Sequence, residues 1–329
     1  MPAAGDAPWL IYALGGGWGH LTRAVALAQA TPARILTNSP YAARVRRAMP
    51  ELDLLALDPN LPIAQARIEI VEKIRAAAPA CLIVDTFPRG LGGELAGTLH
   101  SLAPMKVLVH RDLNPHYVAT AHLKDFVRSH YDLILIPGEN EGRAFADLPA
   151  AAITAPWLVR PQPRPIIHTD ILICAAGPIE ELTWYGAVAA ELQARSKAIV
   201  RCVAPICPPD CPAECWLEYW PAADLIAAAD VVIGGAGYNT IHECLAYNVP
   251  LIARPWLRAY DRQWLRARRA AKRGVVAIVD RPDEAATAAL RQLRRPKARA
   301  ASEIRNGADQ AVARISACRL VNQPDNRRK

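Results

Sequence analysis

The chain is poor in phenylalanine and methionine, with three of each among its 329 residues. No segment interleaves Arg with aromatics, so the stacking-and-phosphate surface of an RNA or DNA binder is not expected. No stretch of membrane-spanning length is apolar and free of charge, so no transmembrane helix is expected. The opening MPAAGDAPW lacks a basic segment ahead of its first apolar run. A secretory signal is therefore not expected, and the expected location is the cytoplasm. No Asp-x-Asp pair occurs, so no chelated divalent metal is indicated.

The sequence also lacks any Cys-x-x-Cys pair, although it has eight cysteines. Four of them, Cys202, Cys207, Cys211 and Cys215, lie in CVAPICPPDCPAEC. Four thiols can hold zinc or an iron–sulfur cluster. The spacing is wrong for either, and prolines separate the sulfurs, so a Pro-rich loop with incidental cysteines is the reading. Cys81, Cys174 and Cys244 read as buried hydrophobes of a reducing compartment.

What is present is charge and alternation. A net charge of +8 suits an anionic partner such as a nucleotide or a phospholipid surface. A length of 329 residues favours two domains. Short apolar runs alternate with amphipathic ones, at 9–14, 33–37, 52–57, 80–85, 105–110 and 131–137, and again at 170–176, 197–204, 214–220, 230–235, 249–255 and 275–280. Continuous apolar strands separated by helices predict parallel sheets covered on both faces. Between the two series lies LPAAAITAPWLVRPQPRPIIH, with prolines at 149, 156, 161, 163 and 165. Proline fixes φ and removes a donor, so 151–168 reads as a linker. The expected organisation is a first domain over 1–150, that linker, a second domain over 169–296, a helix over 297–318 able to pack back on the first domain, and a disordered tail over 319–329.

Two glycine-rich turns follow strands of this pattern. The first is GGGWGH, residues 15–20, ahead of LTRAVALAQA. Gly16, Gly17, Trp18 and Gly19 read as a loop at a strand's carboxyl end, with Gly19 letting the chain turn into the helix. His20 is the candidate general base, because imidazole titrates near neutrality. Asp85, closing CLIVD, and Asp112, after MKVLVH, are the candidate orienting carboxylates along the same edge; His110 and His116 lie there as weaker site candidates. The second turn is Gly234-Gly235-Ala236-Gly237, ahead of a helix opening near Asn239 and Thr240. Small residues and a helix N-terminus let backbone amides meet an anion. It matches neither Gly-Lys-Ser/Thr nor G-x-G-x-x-G. Glu243 stands one turn on. Its two oxygens can accept from vicinal hydroxyls, or Thr240 and Glu243 can form a capping box. Spacing alone leaves these two readings even. The arginines of 254–273 (254, 258, 262, 266, 268 and 269 among them) read mostly as a solvated basic helix.

GGAGYNTIHE, followed by Asp261-Arg262-Gln263 and ARRAAKRGVVAIVD, resembles the donor half of GT-B glycosyltransferases. The likeness is to the family 28 C-terminal type, the group of the bacterial lipid-linked N-acetylglucosaminyltransferase of peptidoglycan synthesis and the UDP-glycosyltransferases. GGGWGHLTRAVALA is similar to the acceptor-side loop of the same enzymes. The resemblance implies two Rossmann-like doubly wound parallel-sheet domains facing across a cleft. It implies a nucleotide-sugar donor, UDP-linked, and an acceptor that is a small molecule or a lipid; peripheral membrane contact stays open. It implies metal-independent, inverting transfer with no separate cofactor. By the same resemblance Gly234, Gly235, Ala236, Gly237, Asn239 and Thr240 flank the donor diphosphate, and Glu243 binds ribose. Tyr219, Trp220 and Pro221 hold the base, and Asp261 and Gln263 lie by the donor sugar. Trp264 and Ala267 replace a glutamine and an asparagine of the family pattern. Gly17-Trp18-Gly19-His20-Leu21-Thr22-Arg23 also resembles a UDP-sugar hydrolase of nonulosonate synthesis, in which His20 would activate water. A nucleotide-sugar-binding protein without activity is the third reading.

Overall fold

The computed structural model describes residues 8–138, 143–162, 164–165, 167–295 and 305–322. The chain divides into two compact units, Met1–Val159 with Asn306–Lys329, and Arg160–Arg305. Each is built on a wholly parallel sheet.

In unit 1 the strands are β1 Trp9–Tyr12, β2 Ala33–Thr37, β3 Asp53–Ala56, β4 Cys81–Asp85, β5 Met105–Val109, β6 Leu133–Pro137 and β7 Ala151–Thr154. The helices are α1 Trp18–Ala28, α2 Ala42–Ala48, α3 Ile63–Ala77, α4 Leu99–Leu102, α5 Pro115–Thr120 and α6 Leu123–His130. The sheet order is β3-β2-β1-β4-β5-β6-β7. All residues of β1, β4 and β6 are buried, as expected when helices cover both faces. Local chemistry sets several helix starts. Asn114 accepts from the His116 amide at 3.0 Å, and Pro115 occupies the first turn of α5, where its missing N–H costs nothing.

In unit 2 the strands are β8 Ile171–Cys174, β9 Val200–Val203, β10 Trp216–Leu217, β11 Val231–Gly235, β12 Leu251–Arg254 and β13 Val276–Ile278. The helices are α7 Ile179–Arg195, α8 Ala223–Ala228, α9 Tyr238–Ala246, α10 Gln263–Ala271 and α11 Pro282–Leu293. The order β10-β9-β8-β11-β12-β13 repeats the doubly wound pattern of the first sheet. One face of this sheet packs on Leu182, Tyr185, Val188 and Leu192 of α7 and on Ala285 and Ala289 of α11. The other packs on α8, α9 and α10.

The join between the units differs from the sequence expectation. The expected linker 151–168 opens instead with β7, which pairs in parallel with β6 at the sheet edge. Residues 155–158 are then held by α12, Gly307–Asn322. The Asn306 amide donates to the Leu158 carbonyl at 2.7 Å, and the Gly307 N–H donates to the Pro156 carbonyl at 2.9 Å. A Cβ at Gly307 would stand 1.8 Å from the Ala155 carbonyl oxygen, so only glycine allows this approach. Trp157 is buried here. The prolines mask a strand that itself contains none. Of the expected C-terminal helix, 307–318 is helical, and the helix continues through 322, into the expected tail. Residues 296–304 and 323–329 lie outside the described residues.

Candidate active site

In both sheets the strand order reverses between the first and fourth strands, β1 and β4 in unit 1 and β8 and β11 in unit 2. Loops beyond the carboxyl ends of such strands form the ligand crevice of doubly wound sheets. GGGWGH leaves β1, Asp85 ends β4, and the second glycine turn leaves β11.

In unit 1 these loops converge on one carboxylate. His20 Nδ1 lies 2.6 Å from Asp85 Oδ2. Arg23, one helical turn on, donates to Asp85 through Nε at 3.1 Å and Nη2 at 2.5 Å. Asp85 and Arg23 are buried, and the His20 side chain is 13% exposed. Burial pushes the Asp85 carboxyl up, but the charges of Arg23 and His20 and their hydrogen bonds outweigh it and hold the group well below the usual range. Burial lowers the His20 pKa. Asp85 opposes that shift, and Arg23 and Arg111 reinforce it. The imidazole is therefore neutral near pH 7, with Nδ1 on Asp85 and Nε2 the nitrogen left to take a proton.

The glycines divide the work differently from the sequence reading. The left-handed turn is at Gly16, φ +72°, while Gly19 lies inside α1 behind the N-cap Gly17. The Gly15 and Gly16 amides both donate to Asn38 Oδ1, at 3.0 and 3.1 Å. Those two donors are engaged within unit 1 and serve the turn. Gly15 underlies the His20 ring, as a Cβ there would stand 2.4 Å from Cδ2 and Nε2. Trp18 stacks on Tyr41, with ring centroids 4.2 Å apart and planes within 2°. The Phe87 ring lies 5.6 Å from that of His20. Beside Asp85, Thr86 has φ +73°, an uncommon backbone for a β-branched residue, and its N–H is tied to the Val109 carbonyl at 2.9 Å. His110 and Asp112 are buried on the β5 edge, and His116 sits in the first turn of α5.

In unit 2, α9 begins at Tyr238 with Gly237 as N-cap, no capping side chain and no acidic residue in its first turn. The helix after β8, α7, carries Glu180 and Glu181 in its first turn. Anion binding by a helix terminus thus favours α9. The Thr240–Glu243 capping box does not form, because the helix starts three residues earlier than that reading needs, with Gly237 rather than Thr240 as N-cap. Glu243 is instead 8% exposed, and its carboxylate makes no hydrogen bond or ion pair among the described residues. Burial alone pushes its pKa up to about 8. Asn239, four residues earlier on the same helix face, has a buried Oδ1 that likewise finds no partner there. Tyr247 feels the charges of both Glu243 and Asp224, and Asp224 accepts from the Tyr219 hydroxyl. The Tyr219–Pro221 segment therefore belongs to the same neighbourhood. Arg164 crosses the Tyr219 ring at 5.0 Å and donates to the Trp220 carbonyl at 3.1 Å.

Asp261 and Gln263 are both engaged. Gln263 Oε1 accepts from the Trp256 amide at 3.0 Å. Asp261 pairs with Arg266 at 2.7 Å, and Arg266 also donates to the Ala236 carbonyl at 3.1 Å. Arg266 is 3% exposed, unlike Arg268 and Arg269, which are solvated as the sequence suggested. It ties the glycine turn to α10, a role an arginine-rich segment conceals. Arg258 likewise pairs with Glu181 at 2.5 and 2.7 Å. Among the described residues no group of three or more His, Cys, Asp or Glu is placed to hold a metal ion.

Residues 215–317 match the glycosyltransferase family 28 C-terminal domain. This stretch contains the glycine turn, Glu243 and Gln263. Solved structures match nearly the whole chain. The kitacinnamycin glycotransferase is 15% identical, over 97% of this chain and 99% of its own, with a TM-score of 0.58. The glycosyltransferase SnogD from Streptomyces nogalater is 17% identical, over 94% and 99%, with a TM-score of 0.56. The spinosyn rhamnosyltransferase SpnG complexed with thymidine diphosphate is 17% identical, over 96% and 95%, with a TM-score of 0.57. The chain has the GT-B fold. At these identities the likeness to solved structures is one of fold. No curated protein matches in sequence. No helix among the described residues is long and apolar enough to cross a membrane.

Proposed function

We propose that the chain is a glycosyltransferase that moves a sugar from a nucleoside diphosphate sugar to an acceptor hydroxyl. One observation carries the reading. Among the described residues, neither the carboxylate of the buried Glu243 nor the buried Asn239 Oδ1 has a protein donor, and both follow directly behind the α9 N-terminus. Leaving a buried acceptor such as Asn239 Oδ1 unpaired costs about 1–3 kcal/mol. Vicinal ribose hydroxyls supply the missing donors, and the N–H groups at the start of α9 meet the diphosphate. A pyrimidine diphosphate fits this reading: uridine follows from the sequence resemblance, and SpnG is complexed with thymidine diphosphate.

In this reading His20 removes the acceptor proton through Nε2 as the hydroxyl attacks the anomeric carbon. Direct attack opposite the leaving diphosphate inverts the configuration. Asp85 holds the imidazole by Nδ1 and stabilises the imidazolium that forms. It stays ionised, because Arg23 already binds both its oxygens. The leaving diphosphate is stabilised by the amides of α9 and needs no metal.

Thermal shift with UDP, TDP and the corresponding sugar diphosphates tests donor binding by mass action. The expected result is stabilisation by at least one pyrimidine diphosphate, lost in Glu243→Ala. No stabilisation by any nucleoside diphosphate would overturn the reading. With the stabilising donor in hand, His20→Ala should abolish turnover and keep nucleotide binding. Stoichiometric sugar release to water without acceptor would assign His20 to water activation instead.

A further inference from the structure

The cysteine-rich segment after β9 is not used by the proposed chemistry. Its fold nevertheless gathers sulfur. Cys211 donates its N–H to the Pro208 carbonyl at 3.1 Å, and Asp210 takes φ +62°. This closes a tight turn over Pro208-Pro209-Asp210-Cys211 with Cys207 just before it. Cys207 Sγ comes within 3.9 Å of the Cys211 carbonyl oxygen. Cys207 Sγ also lies 3.8 Å from the Pro208 carbonyl oxygen, and Cys211 Sγ lies 3.6 Å from that of Pro212. The base of the loop is firmly held. Cys202 N–H donates to the Cys215 carbonyl at 2.7 Å, and Arg201 donates to the Glu214 carbonyl at 2.9 Å. The turn presses on α7 so closely that a Cβ at Gly186 would stand 1.7 Å from the Pro209 oxygen.

The three sulfurs are unequal. Cys202 is fully buried, Cys211 half-buried and Cys207 exposed. The neighbouring Cys202 thiol lowers the Cys211 pKa, and the Cys207 thiol adds to that shift. Cys207 is raised and stays protonated at rest. An accessible sulfur with thiolate character beside a second accessible thiol is the arrangement of a reactive and a resolving cysteine. By contrast Cys81 and Cys244 are buried, and burial pushes both thiols up.

We propose that Cys207 and Cys211 form a reversible redox pair that closes to a disulfide when a peroxide reaches the loop. The Cys211 thiolate attacks a peroxide oxygen. An S–O bond forms, the O–O bond breaks, and hydroxide leaves. The Cys207 thiolate then attacks the Cys211 sulfur, so that an S–S bond forms, the S–O bond breaks, and a second hydroxide leaves. Two thiols give up two electrons and two protons, and hydrogen peroxide becomes two waters. The bond would fasten the turn that lies on Gly186 of α7.

The test treats the fully reduced chain with hydrogen peroxide, blocks the remaining thiols and maps the cysteines by mass spectrometry. The expected result is the loss of two thiols and a peptide joining Cys207 to Cys211, both reversed by dithiothreitol. In Cys207→Ser the Cys211 sulfenic acid should persist and be trapped by dimedone. In Cys211→Ser the rapid thiol loss should vanish. Linkage of Cys211 to Cys202 would overturn the assignment. So would oxidation of both residues to sulfinic acids without a bond, or unchanged thiol loss in Cys211→Ser. None of these readouts depends on nucleotide binding or turnover, so this proposal and the functional one fail separately.

Discussion

Gly15 lies directly against the His20 imidazole, so close that a Cβ at residue 15 would stand 2.4 Å from Nε2 and Cδ2. Its φ of +151° adds backbone strain to any substitution. Gly15→Ala should therefore push the ring off the Asp85 carboxylate and crowd the nitrogen that takes the proton. The expected loss in kcat is about 10²-fold or more, the scale of misplacing a general base. Nucleotide-induced thermal stabilisation should be unchanged, because the proposed donor site lies in unit 2. A variant with wild-type kcat would show that His20 needs no such placement.

Burial lowers the His20 pKa, and the charges of Asp85, Arg23 and Arg111 adjust it. With His20 as the proposed base, the reactive form is neutral, so kcat/KM should rise with pH through its pKa, which lies below the ordinary histidine value. Activity should persist into mildly acidic solution. Arg23 lowers that pKa and Asp85 raises it. Arg23→Gln should thus move the acid limb to higher pH, and Asp85→Asn should move it lower while reducing kcat. The pH profiles of the two variants, measured on protein shown to be folded by circular dichroism, read this directly. Limbs that move in the same direction would refute the account.

As the proposed ribose ligand, Glu243 should couple stability to donor binding with opposite signs. Its folded pKa of about 8 lies above the usual carboxylate value, so the fold prefers the protonated acid. Without ligand, stability is greatest below the unfolded pKa of about 4.3 and declines as pH rises toward 8, by about 1.4 kcal/mol per unit at most. Above that the decline stops. Glu243→Gln keeps the shape and removes the charge, so it should melt higher than wild type at pH 8 and the same at pH 4. Donor affinity should fall in the same variant, and in wild type it should increase between pH 6 and 8. A variant that loses both stability and affinity would make Glu243 a structural group.

The alternation of apolar and amphipathic runs carried most of this architecture, because each buried parallel strand leaves a short apolar segment in the sequence. β7 escaped because Ala151–Thr154 is four residues at an edge, with Ile153 half-exposed and prolines nearby. His20 and Asp85 were legible because both follow strands that meet where the strand order reverses. Arg23 was visible only as the last residue of a motif, since its carboxylate partner is 62 residues away. Glu243 stayed ambiguous because cap registers are set by backbone geometry, and here Gly237 starts the helix. Arg266 was hidden among solvated arginines of the same segment. Its burial depends on packing against the glycine turn, which local composition does not encode.

Arg266 supplies the last prediction. Its guanidinium pairs with Asp261 at 2.7 Å and holds the Ala236 carbonyl at 3.1 Å, so one buried cation connects the glycine turn to α10. Removing it takes the guanidinium away from a partly buried carboxylate and from the Ala236 carbonyl. Arg266→Met should cost about 3–5 kcal/mol, as for breaking one side of a buried pair. Asp261→Asn should cost less, because Asp261 is 14% exposed on its side chain and water can reach it. The double variant should be more stable than the sum of the two losses implies, since the uncompensated charge is gone. Additive losses in chemical denaturation would mean that the two residues act independently. Arg266→Met should also weaken nucleoside diphosphate binding, because the turn that opens α9 loses its tether. Unchanged affinity in folded Arg266→Met protein would place the anion elsewhere than at α9.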